Sequence, residues 1–344
     1  MSRAPRADVL LDERETSHMS AGMLAYVRAL RALLPRVAPD LRVVEFGAGD
    51  NFDAAEQLGM PLAIARSRPR LVHFTTPFVP RVVPAPHVVT VHDLIDLEFP
   101  QYAKRKVGPY FRHVVGPVLR SARAVITDDD ATVELLRRFL RVDPARVRVV
   151  ALGVDAPAPL PDPFVRPRPY LFYAGNHRPH KDLPTLVAAW ASLPDRDVVD
   201  LILTGPEEPA LRGVRHAQGE LIFTGDAGAN EVWRFHRGAA AYVHPALREG
   251  FGLPLLEALR AGTPVIASDR ATPAVLAPFV HTYAAHDVVA LRALLLRAVE
   301  QPAAFGAERE RARDATAHLT WERTVRATAD VYRDILQRAA RTRA

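Results

Sequence analysis

The sequence contains no cysteine. This absence excludes disulfide bonds, thiolate zinc sites, iron–sulfur clusters and a thiol nucleophile, so the chemistry must come from other side chains. No run of 18 apolar residues occurs, which argues against a membrane-spanning helix, and the charged N-terminal run does not fit a signal peptide. Lysine is scarce: of 45 basic residues, only those at 104, 106 and 181 are lysines. A lysine at a candidate site is therefore conspicuous.

The length and the net charge of the chain restrict the class of protein. The chain has 344 residues, of which 49% are apolar and 24% charged, and this predicts roughly two globular domains. The net charge of +6 would suit a phosphorylated substrate, an anionic membrane surface or a nucleic acid. Because no nucleic-acid-reading motif accompanies the charge, we expect no nucleic-acid partner.

Short apolar runs alternate with amphipathic stretches of helical length. Unalternating runs of this kind are typical of buried parallel strands in βα units. The predicted strands are Asp8–Leu11, Leu41–Phe46, Leu71–Phe74, His87–Val91, Ala124–Thr127 and Val147–Ala151, then Tyr170–Ala174, Asp200–Leu203, Leu221–Thr224, Ala241–His244 and Pro264–Ala267.

A proline-rich segment divides these strands into two sets. Six prolines lie within residues 156–169, which forbids a helix and predicts a stiff, extended linker. We therefore predict a doubly wound α/β domain over 1–156, a linker over 157–169 and a second α/β domain over 170–318. Apolar residues three or four apart predict a long amphipathic helix over 319–344.

The segment HPALREGFGLPLLEALRAG, residues 244–262, joins a strand to a helix through a glycine-containing turn. Gly250 and Gly252 permit close backbone approach, and the helix N-terminus beyond them offers unpaired N–H groups to a phosphate. Glu249 and Glu257 supply two carboxylates that can accept hydrogen bonds from hydroxyl groups. In the alternative interpretation the glycines only make a turn and Glu257 pairs with a nearby arginine.

A second polar loop follows the strand of YLFYAGNHRPHKDL, residues 170–183. In open α/β sheets ligands bind beyond the carboxyl ends of the strands, where Arg178 and Lys181 are expected to lie. An ammonium and a guanidinium together would bind a diphosphate and stabilise it as a leaving group. A solvated loop with charges at a helix start is the alternative.

Two sites in the first half of the chain are weaker candidates. The strand HVVTV leads directly into His92 and Asp93, which places polar groups at a carboxyl end. His92 would contact substrate, or else Asp93 merely caps the next helix. In the segment of residues 18–22, Gly22 would allow a ligand to approach the backbone, or else makes a simple turn.

Residues 101–123 combine six basic residues with three aromatic residues and no acidic ones. Such a segment can lie on anionic lipid. Because Gly-Pro pairs interrupt any helical face, we favour a solvated basic surface and keep peripheral membrane contact as the alternative.

Three segments taken together resemble glycosyltransferase family 4: GNHRPHKDL, REGFGLPLLEALRAGTPVIASD and TWERTVRATADVYRDIL. The resemblance extends over nearly the whole chain and is strongest over residues 170–269. It implies the GT-B architecture, in which two Rossmann-like domains face a cleft and a C-terminal crossover helix returns to the first domain. It also implies a retaining glycosyltransferase that needs neither metal nor cofactor.

The resemblance assigns roles to the matched residues. It implies that Arg178 and Lys181 bind the diphosphate of the donor. It implies that Glu257 accepts the ribose hydroxyl groups and that Glu249 holds the sugar. The loop beside Glu249 would bind the donor's sugar and phosphate with residues Gly250, Phe251, Gly252 and Leu253.

In the first domain the resemblance matches His92 to the family's cleft histidine and Gly22 to the glycine of its first loop. Three positions depart from the family pattern. Ala246 and Asp129 stand where serine is usual, and Ala274 stands where glutamate is frequent. These departures concern the acceptor and the donor sugar more than the diphosphate site.

The resulting hypothesis is a hexosyltransferase that uses a nucleotide diphosphate sugar, with GDP-mannose as the first candidate donor and a UDP-sugar as the second. The acceptor would be a glycan or a lipid-linked saccharide in cell-surface polysaccharide synthesis. We expect the protein to be cytoplasmic, and the alternative is that it binds peripherally at the inner face of the membrane. The alternatives are a glycoside hydrolase that uses Glu249 and Glu257, and a non-catalytic protein that binds a phosphorylated ligand.

Overall fold

The computed structural model describes residues 6–17, 19–47, 49–51, 53–194, 198–211 and 219–341. The chain divides into two compact units. The first unit contains residues 1–153 and 319–344, and the second contains residues 154–318.

The first unit is built on a sheet of six strands, and all its neighbouring strands are parallel. In chain order the strands are β1 Val9–Asp12, β2 Val43–Phe46, β3 Leu71–Phe74, β4 His87–Thr90, β5 Ala124–Thr127 and β6 Val147–Val149. In space the order is β2-β1-β3-β4-β5-β6. The direction of winding thus reverses between β1 and β3, which defines a doubly wound sheet.

Helices cover this sheet, and side chains such as Val72, Val89 and Val125 form a core beneath them. The helices are α1 Ala21–Val37, α2 Met60–Ser67, α3 Ile95–Glu98, α4 Val107–Tyr110, α5 Gly116–Ser121 and α6 Asp130–Leu140. Helix α6 begins where the carboxylate of Asp129 accepts a hydrogen bond of 2.8 Å from the backbone N–H of Thr132.

The second unit repeats this architecture with another fully parallel sheet of six strands. Its strands are β7 Tyr170–Tyr173, β8 Asp200–Leu203, β9 Leu221–Phe223, β10 Ala241–His244, β11 Val265–Ser268 and β12 His281–Tyr283. Its helices are α7 Leu183–Ala191, α8 Ala229–Gly238, α9 Leu253–Ala261, α10 Val288–Glu300 and α11 Gly306–Ala315. The spatial order β12-β11-β10-β7-β8-β9 reverses the winding between β7 and β10.

The last helix, α12, extends from Trp321 to Arg341 and belongs to the first unit. Its buried face packs against α1 and includes Val325, Ala329 and Tyr332. The Tyr332 hydroxyl lies 2.6 Å from Nδ1 of His73, so a buried polar contact fixes the helix on the sheet.

Residue 153, where the first unit passes into the second, must be glycine. A Cβ atom at Gly153 would lie 2.1 Å from the backbone of Thr320, next to the start of α12. The backbone therefore approaches α12 too closely for any side chain.

The proline-rich segment, predicted as a stiff, extended linker, also has contacts with the second unit. It is extended, but it packs along the second unit: the Phe164 and Phe235 ring centroids lie 4.8 Å apart. Nε of Arg166 also lies 2.8 Å from the buried carboxylate of Asp200. Apolar and charged residues between the prolines dock the segment on the unit that follows it.

Candidate active site

The two charged loops predicted from the sequence come together in the second unit. Strands β7 and β10 are neighbours, with Tyr242 in register with Phe172, although 68 residues separate the loops at Lys181 and Glu249. The strands end at Tyr173 and His244, so both loops leave the same edge of the sheet at the point where the winding reverses. This point is where doubly wound sheets bind their ligands.

A backbone hydrogen bond joins the loops directly. The N–H of Leu247 donates to the carbonyl of His180 over 2.7 Å. His180 lies in a short 3₁₀ helix, Pro179–Lys181, which directs the Lys181 side chain inward. Arg178 precedes this turn and is exposed. Lys181 is therefore fixed, whereas Arg178 remains accessible to a ligand.

The buried Lys181 contacts a buried carboxylate. Its Nζ atom forms a salt bridge with Oε1 of Glu249, and Nε2 of His244 lies 2.9 Å from that same oxygen. Burial alone would raise the pKa of Glu249, but Lys181 and His244 overcome this effect and hold it well below the usual value. Glu249 is thus an anion in the folded protein.

Helix α9 begins in the glycine-containing turn. Gly252 precedes its first residue with a φ of 73°, and Gly262 follows its last residue with a φ of 76°. Both angles lie in the left-handed region that favours glycine. The turn therefore delivers the helix N-terminus to the edge of the sheet that holds Lys181 and Glu249.

Glu257 lies one turn into α9 and differs from Glu249. Burial among apolar neighbours raises its pKa to about 7. Within the described residues no arginine or lysine pairs with it, so the arginine pair of the alternative interpretation is not found. A carboxylate of this kind is available for a ligand that donates hydrogen bonds.

In the first unit, His92 has a partner that the sequence did not reveal. Thr90 of β4 is in register with Ile126 of β5, so two residues further on His92 meets Asp128. Nδ1 of His92 lies 2.7 Å from Oδ2 of Asp128, and both side chains are buried. Burial opposes protonation, but the carboxylate of Asp128 raises the pKa of His92. In the described residues, Nε2 of this histidine has no hydrogen-bond partner.

The remaining predicted positions are placed as follows. Gly22 lies in the first turn of α1 and not in the preceding loop, because the Ser20 side chain already starts the helix by accepting from the N–H of Met23. Residue 18 of that segment lies outside the described residues. Ala246 is fully buried, and its carbonyl accepts a hydrogen bond from Ser268.

Sequence reasoning missed Asp128, which contacts His92, and His244, which contacts Glu249, together with Tyr242 behind His244. The hydroxyl of Tyr242 lies 2.8 Å from Nδ1 of His244. Tyr242 and His244 are two positions apart on a buried strand, so their side chains lie on the same face of the sheet. This spacing could have indicated from the sequence that the two polar groups meet.

Comparison with known proteins gives this chain its class. The model of glycosyl transferases group 1 matches residues 162–312, and the model of glycosyltransferase family 4 matches residues 37–157. The alpha-maltose-1-phosphate synthase of Mycolicibacterium smegmatis is 30% identical over 289 residues, which are 73% of each chain. This chain therefore belongs to the group 1 and family 4 glycosyltransferases.

Other relatives agree on the class and differ in length. The O-antigen chain mannosyltransferase B of Escherichia coli is 25% identical over 267 residues, 72% of this chain and 70% of the relative. The chain spans only 38% to 51% of several other relatives named as mannosyltransferases. The sucrose-phosphate synthase structure from Thermosynechococcus elongatus has a TM-score of 0.75 at 19% identity, covering 96% of this chain and 100% of that one. These matches establish the GT-B fold.

Two features are absent from the described residues: a membrane-spanning helix and a group of metal ligands. No helix there is long and apolar enough to cross a membrane. In the same residues no group of three His, Asp or Glu side chains could hold a metal ion.

Proposed function

We propose that the protein transfers a hexose from a nucleotide diphosphate sugar to an acceptor hydroxyl group with retention at the anomeric carbon. The observation that supports this most is the ion pair of Lys181 and Glu249 where the winding of the second sheet reverses, with Glu257 in the helix that follows the Glu249 loop. A cation, a fixed anion and a free hydrogen-bond acceptor suit a diphosphate, a sugar and a ribose respectively.

In this proposal the diphosphate is bound and activated by positive groups. Lys181, Arg178 and the N-terminus of α9 stabilise the negative charge that develops on the departing diphosphate. Because the buried Lys181 already contacts Glu249, its position is set before the donor arrives. The loop from Gly250 to Leu253 holds the sugar and phosphate against this cation.

The bond changes follow from the same arrangement. The carbon–oxygen bond between the sugar and the diphosphate breaks, and the acceptor oxygen forms a new bond to that carbon from the same face. The leaving phosphate takes the proton of the acceptor hydroxyl. Glu249, which Lys181 and His244 keep ionised, orients the sugar by accepting hydrogen bonds from its hydroxyl groups.

Glu257 binds the ribose in this scheme. Hydroxyl groups that donate to a carboxylate favour its ionised form. Because burial raises the pKa of Glu257 to about 7 in the free protein, donor binding should release part of a proton near neutral pH. The nucleotide thus supplies hydrogen bonds to a half-buried carboxylate.

Mannose from GDP-mannose is our first candidate donor, and a UDP-sugar is the second. The similarity to the O-antigen chain mannosyltransferase B of Escherichia coli supports mannose, and it supports a saccharide acceptor of cell-surface polysaccharide synthesis. His92, held by Asp128, would contact substrate.

A peripheral position at the cytoplasmic face of a membrane rests on the basic segment 101–123. The side chains of Lys104, Arg105 and Lys106 are exposed there, together with that of Tyr102. Flotation with anionic liposomes tests this part: salt-sensitive association is expected, and its absence would remove the membrane from the proposal.

A thermal-shift panel of GDP, UDP, ADP and dTDP with their sugars tests the donor. A ligand that binds only the native state raises the melting temperature, and GDP with GDP-mannose should raise it most. Nucleotide release is then measured with saccharide acceptors present. Hydrolysis of glycosides without nucleotide binding would contradict the proposal, as would nucleotide binding without turnover of any donor.

A further inference from the structure

Three side chains of the second unit form a continuous series of close polar contacts that ends at the donor site. The Tyr242 hydroxyl lies 2.8 Å from Nδ1 of His244, and Nε2 of His244 lies 2.9 Å from Oε1 of Glu249. Tyr242 and His244 are two residues apart on β10 and are both fully buried. Neither residue figures among the family roles assigned above.

We propose that His244, oriented by Tyr242, is a positioning residue that sets the rotation of the Glu249 carboxylate. The inference deepens the proposed function and depends on it, since Glu249 is the residue assigned to the donor sugar.

The protonation pattern follows from hydrogen-bond chemistry. Burial keeps His244 neutral by lowering its pKa, so its ring has one N–H. A carboxylate can only accept, so this N–H must be at Nε2, facing Glu249. Nδ1 then accepts from the Tyr242 hydroxyl over 2.8 Å, and the same hydroxyl proton also faces the more distant Ala174 carbonyl at 3.2 Å. The Glu249 carboxylate thus fixes the tautomer of the histidine, and the tyrosine supports that tautomer by donating to Nδ1.

The consequence for Glu249 is an asymmetric carboxylate. Lys181 and His244 both approach Oε1. In the described residues the hydrogen bond and ion pairs of Glu249 are all at Oε1, which leaves Oε2 for a ligand hydroxyl. A lysine alone, with its flexible stem and rotating ammonium, would let the carboxylate turn. The planar ring at the end of a buried strand prevents this rotation.

Two amide variants separate positioning from mere packing. In His244→Gln the amide nitrogen can replace Nε2 and still donate to Glu249. In His244→Asn the shorter amide replaces Nδ1, so that it reaches Tyr242 and leaves Glu249 with Lys181 alone. The two variants are matched in charge and chemistry and differ in which neighbour they contact.

The kinetic readout compares these variants with the donor that the wild-type protein turns over. His244→Asn should have a kcat about 10- to 100-fold below wild type, since a hydrogen bond to a charged group is lost. His244→Gln should retain about ten times more activity than His244→Asn. The KM for the donor should change less than kcat. Equal losses in the two variants, at similar melting temperatures, would overturn the inference.

A second readout needs no donor. The chain has three lysines, and isotope labelling of lysine gives one resonance from the buried Lys181 and two from the exposed Lys104 and Lys106. His244→Asn should shift the Lys181 resonance strongly and His244→Gln should shift it less, while the other two resonances serve as internal references. An unshifted Lys181 in His244→Asn would refute the positioning role.

A third variant applies if the amide variants do not fold. Tyr242→Phe keeps the ring and removes only the hydroxyl that contacts Nδ1 of His244, so the Lys181 resonance and kcat should both change. A Tyr242→Phe protein with wild-type values of both would overturn the inference. If the wild-type protein releases nucleotide from no donor, the proposed function fails, while the lysine spectra still decide whether His244 orients Glu249.

Discussion

The two units bury polar groups in different ways. In the first unit, the buried Arg14 donates to Asp12 over 2.8 Å and to Glu56 over 3.0 Å, so one cation meets two anions. Both ring nitrogens of the buried His73 also have hydroxyl partners. In the second unit, Glu257 has no cation within the described residues, although burial raises its pKa to about 7. We call a polar group balanced when protein partners satisfy its charge or its hydrogen bonds, and unbalanced when they do not. Balanced groups stabilise the fold, whereas an unbalanced group indicates a place for a ligand.

His92 combines both properties. One of its ring nitrogens is bound by Asp128, and the other has no partner within the described residues. A histidine held at one nitrogen and open at the other can meet a substrate in a fixed orientation. His92 therefore resembles Glu257 in having a polar group open to a ligand. It differs from His73 on the neighbouring strand, whose two ring nitrogens both have partners.

The largest effect is expected from breaking the balanced cluster of the first unit. Arg14→Met leaves the buried carboxylates of Asp12 and Glu56 without their cation. The free energy of unfolding should fall by about 3 to 5 kcal/mol, as when one partner of a buried ion pair is removed. Urea unfolding of the two proteins measures this difference.

A matched control uses an exposed ion pair of the same unit. Arg28 contacts Glu15 at the surface, with 63% of the arginine side chain exposed. Arg28→Met should cost less than about 1 kcal/mol. If Arg14→Met and Arg28→Met lowered the free energy of unfolding by similar amounts, burial would not explain the importance of the Arg14 cluster.

The next effect concerns the cation of the second unit. Lys181→Ala removes a buried positive charge from the proposed diphosphate site and should reduce nucleotide release by about 100- to 1000-fold. Lys104→Ala, which removes an exposed lysine of the first unit, should leave turnover in solution unchanged. Unchanged donor binding and turnover in Lys181→Ala would refute the role of this lysine.

Glu257→Gln tests whether the unpaired carboxylate costs stability in the absence of ligand. The folded pKa of about 7 lies above the ordinary glutamate value of 4.5, so the stability that Glu257 contributes is present below pH 4.5 and is lost as the pH rises to 7. Glutamine does not titrate. Relative to wild type, the variant should gain up to about 3 kcal/mol between pH 4.5 and 8.

The measurement is the urea midpoint of both proteins at pH 5 and pH 8 without nucleotide. The same substitution should weaken binding of the nucleotide, because an amide is a poorer acceptor for the ribose hydroxyl groups than a carboxylate. A variant that is less stable than wild type at pH 8 would mean that Glu257 already has compensating partners.

The strands were the easiest part to predict from the sequence. Leu71–Phe74, Ala124–Thr127 and Ala241–His244 have the predicted bounds, because continuous apolar runs mark strands buried on both faces. Strand β12 was missed. Its residues His281–Tyr283 are only partly buried and partly polar, because it lies at the edge of its sheet.

The charged loops of the site were predictable for a local reason, since a polar segment directly follows each buried strand. Their partners were not. Asp128 reaches His92 only because β4 and β5 are in a particular register, and His244 reaches Glu249 only because the loop after β10 folds back. Register and loop path depend on packing of the whole sheet, which no short segment encodes.

The smallest effect is expected from Asp128→Asn. This substitution tests whether His92, which is bound by Asp128 at one ring nitrogen and has no partner among the described residues at the other, takes part in turnover. Asparagine keeps the size and can still accept from Nδ1, but it removes the charge that raises the pKa of His92. The pKa of His92 should fall, so any limb of the pH–rate profile that depends on this histidine should move to lower pH. Turnover at neutral pH should fall about tenfold, in line with a charged hydrogen bond becoming neutral.

The neighbouring residue provides the control for this substitution. Asp129→Asn keeps the cap of α6, because asparagine caps helices as well as aspartate does, and the Asp129 side chain contacts Thr132. Its pH–rate profile should therefore match wild type. If the Asp128→Asn profile also superimposes on wild type, Asp128 supports the fold of the first unit alone, and His92 then belongs with the balanced groups.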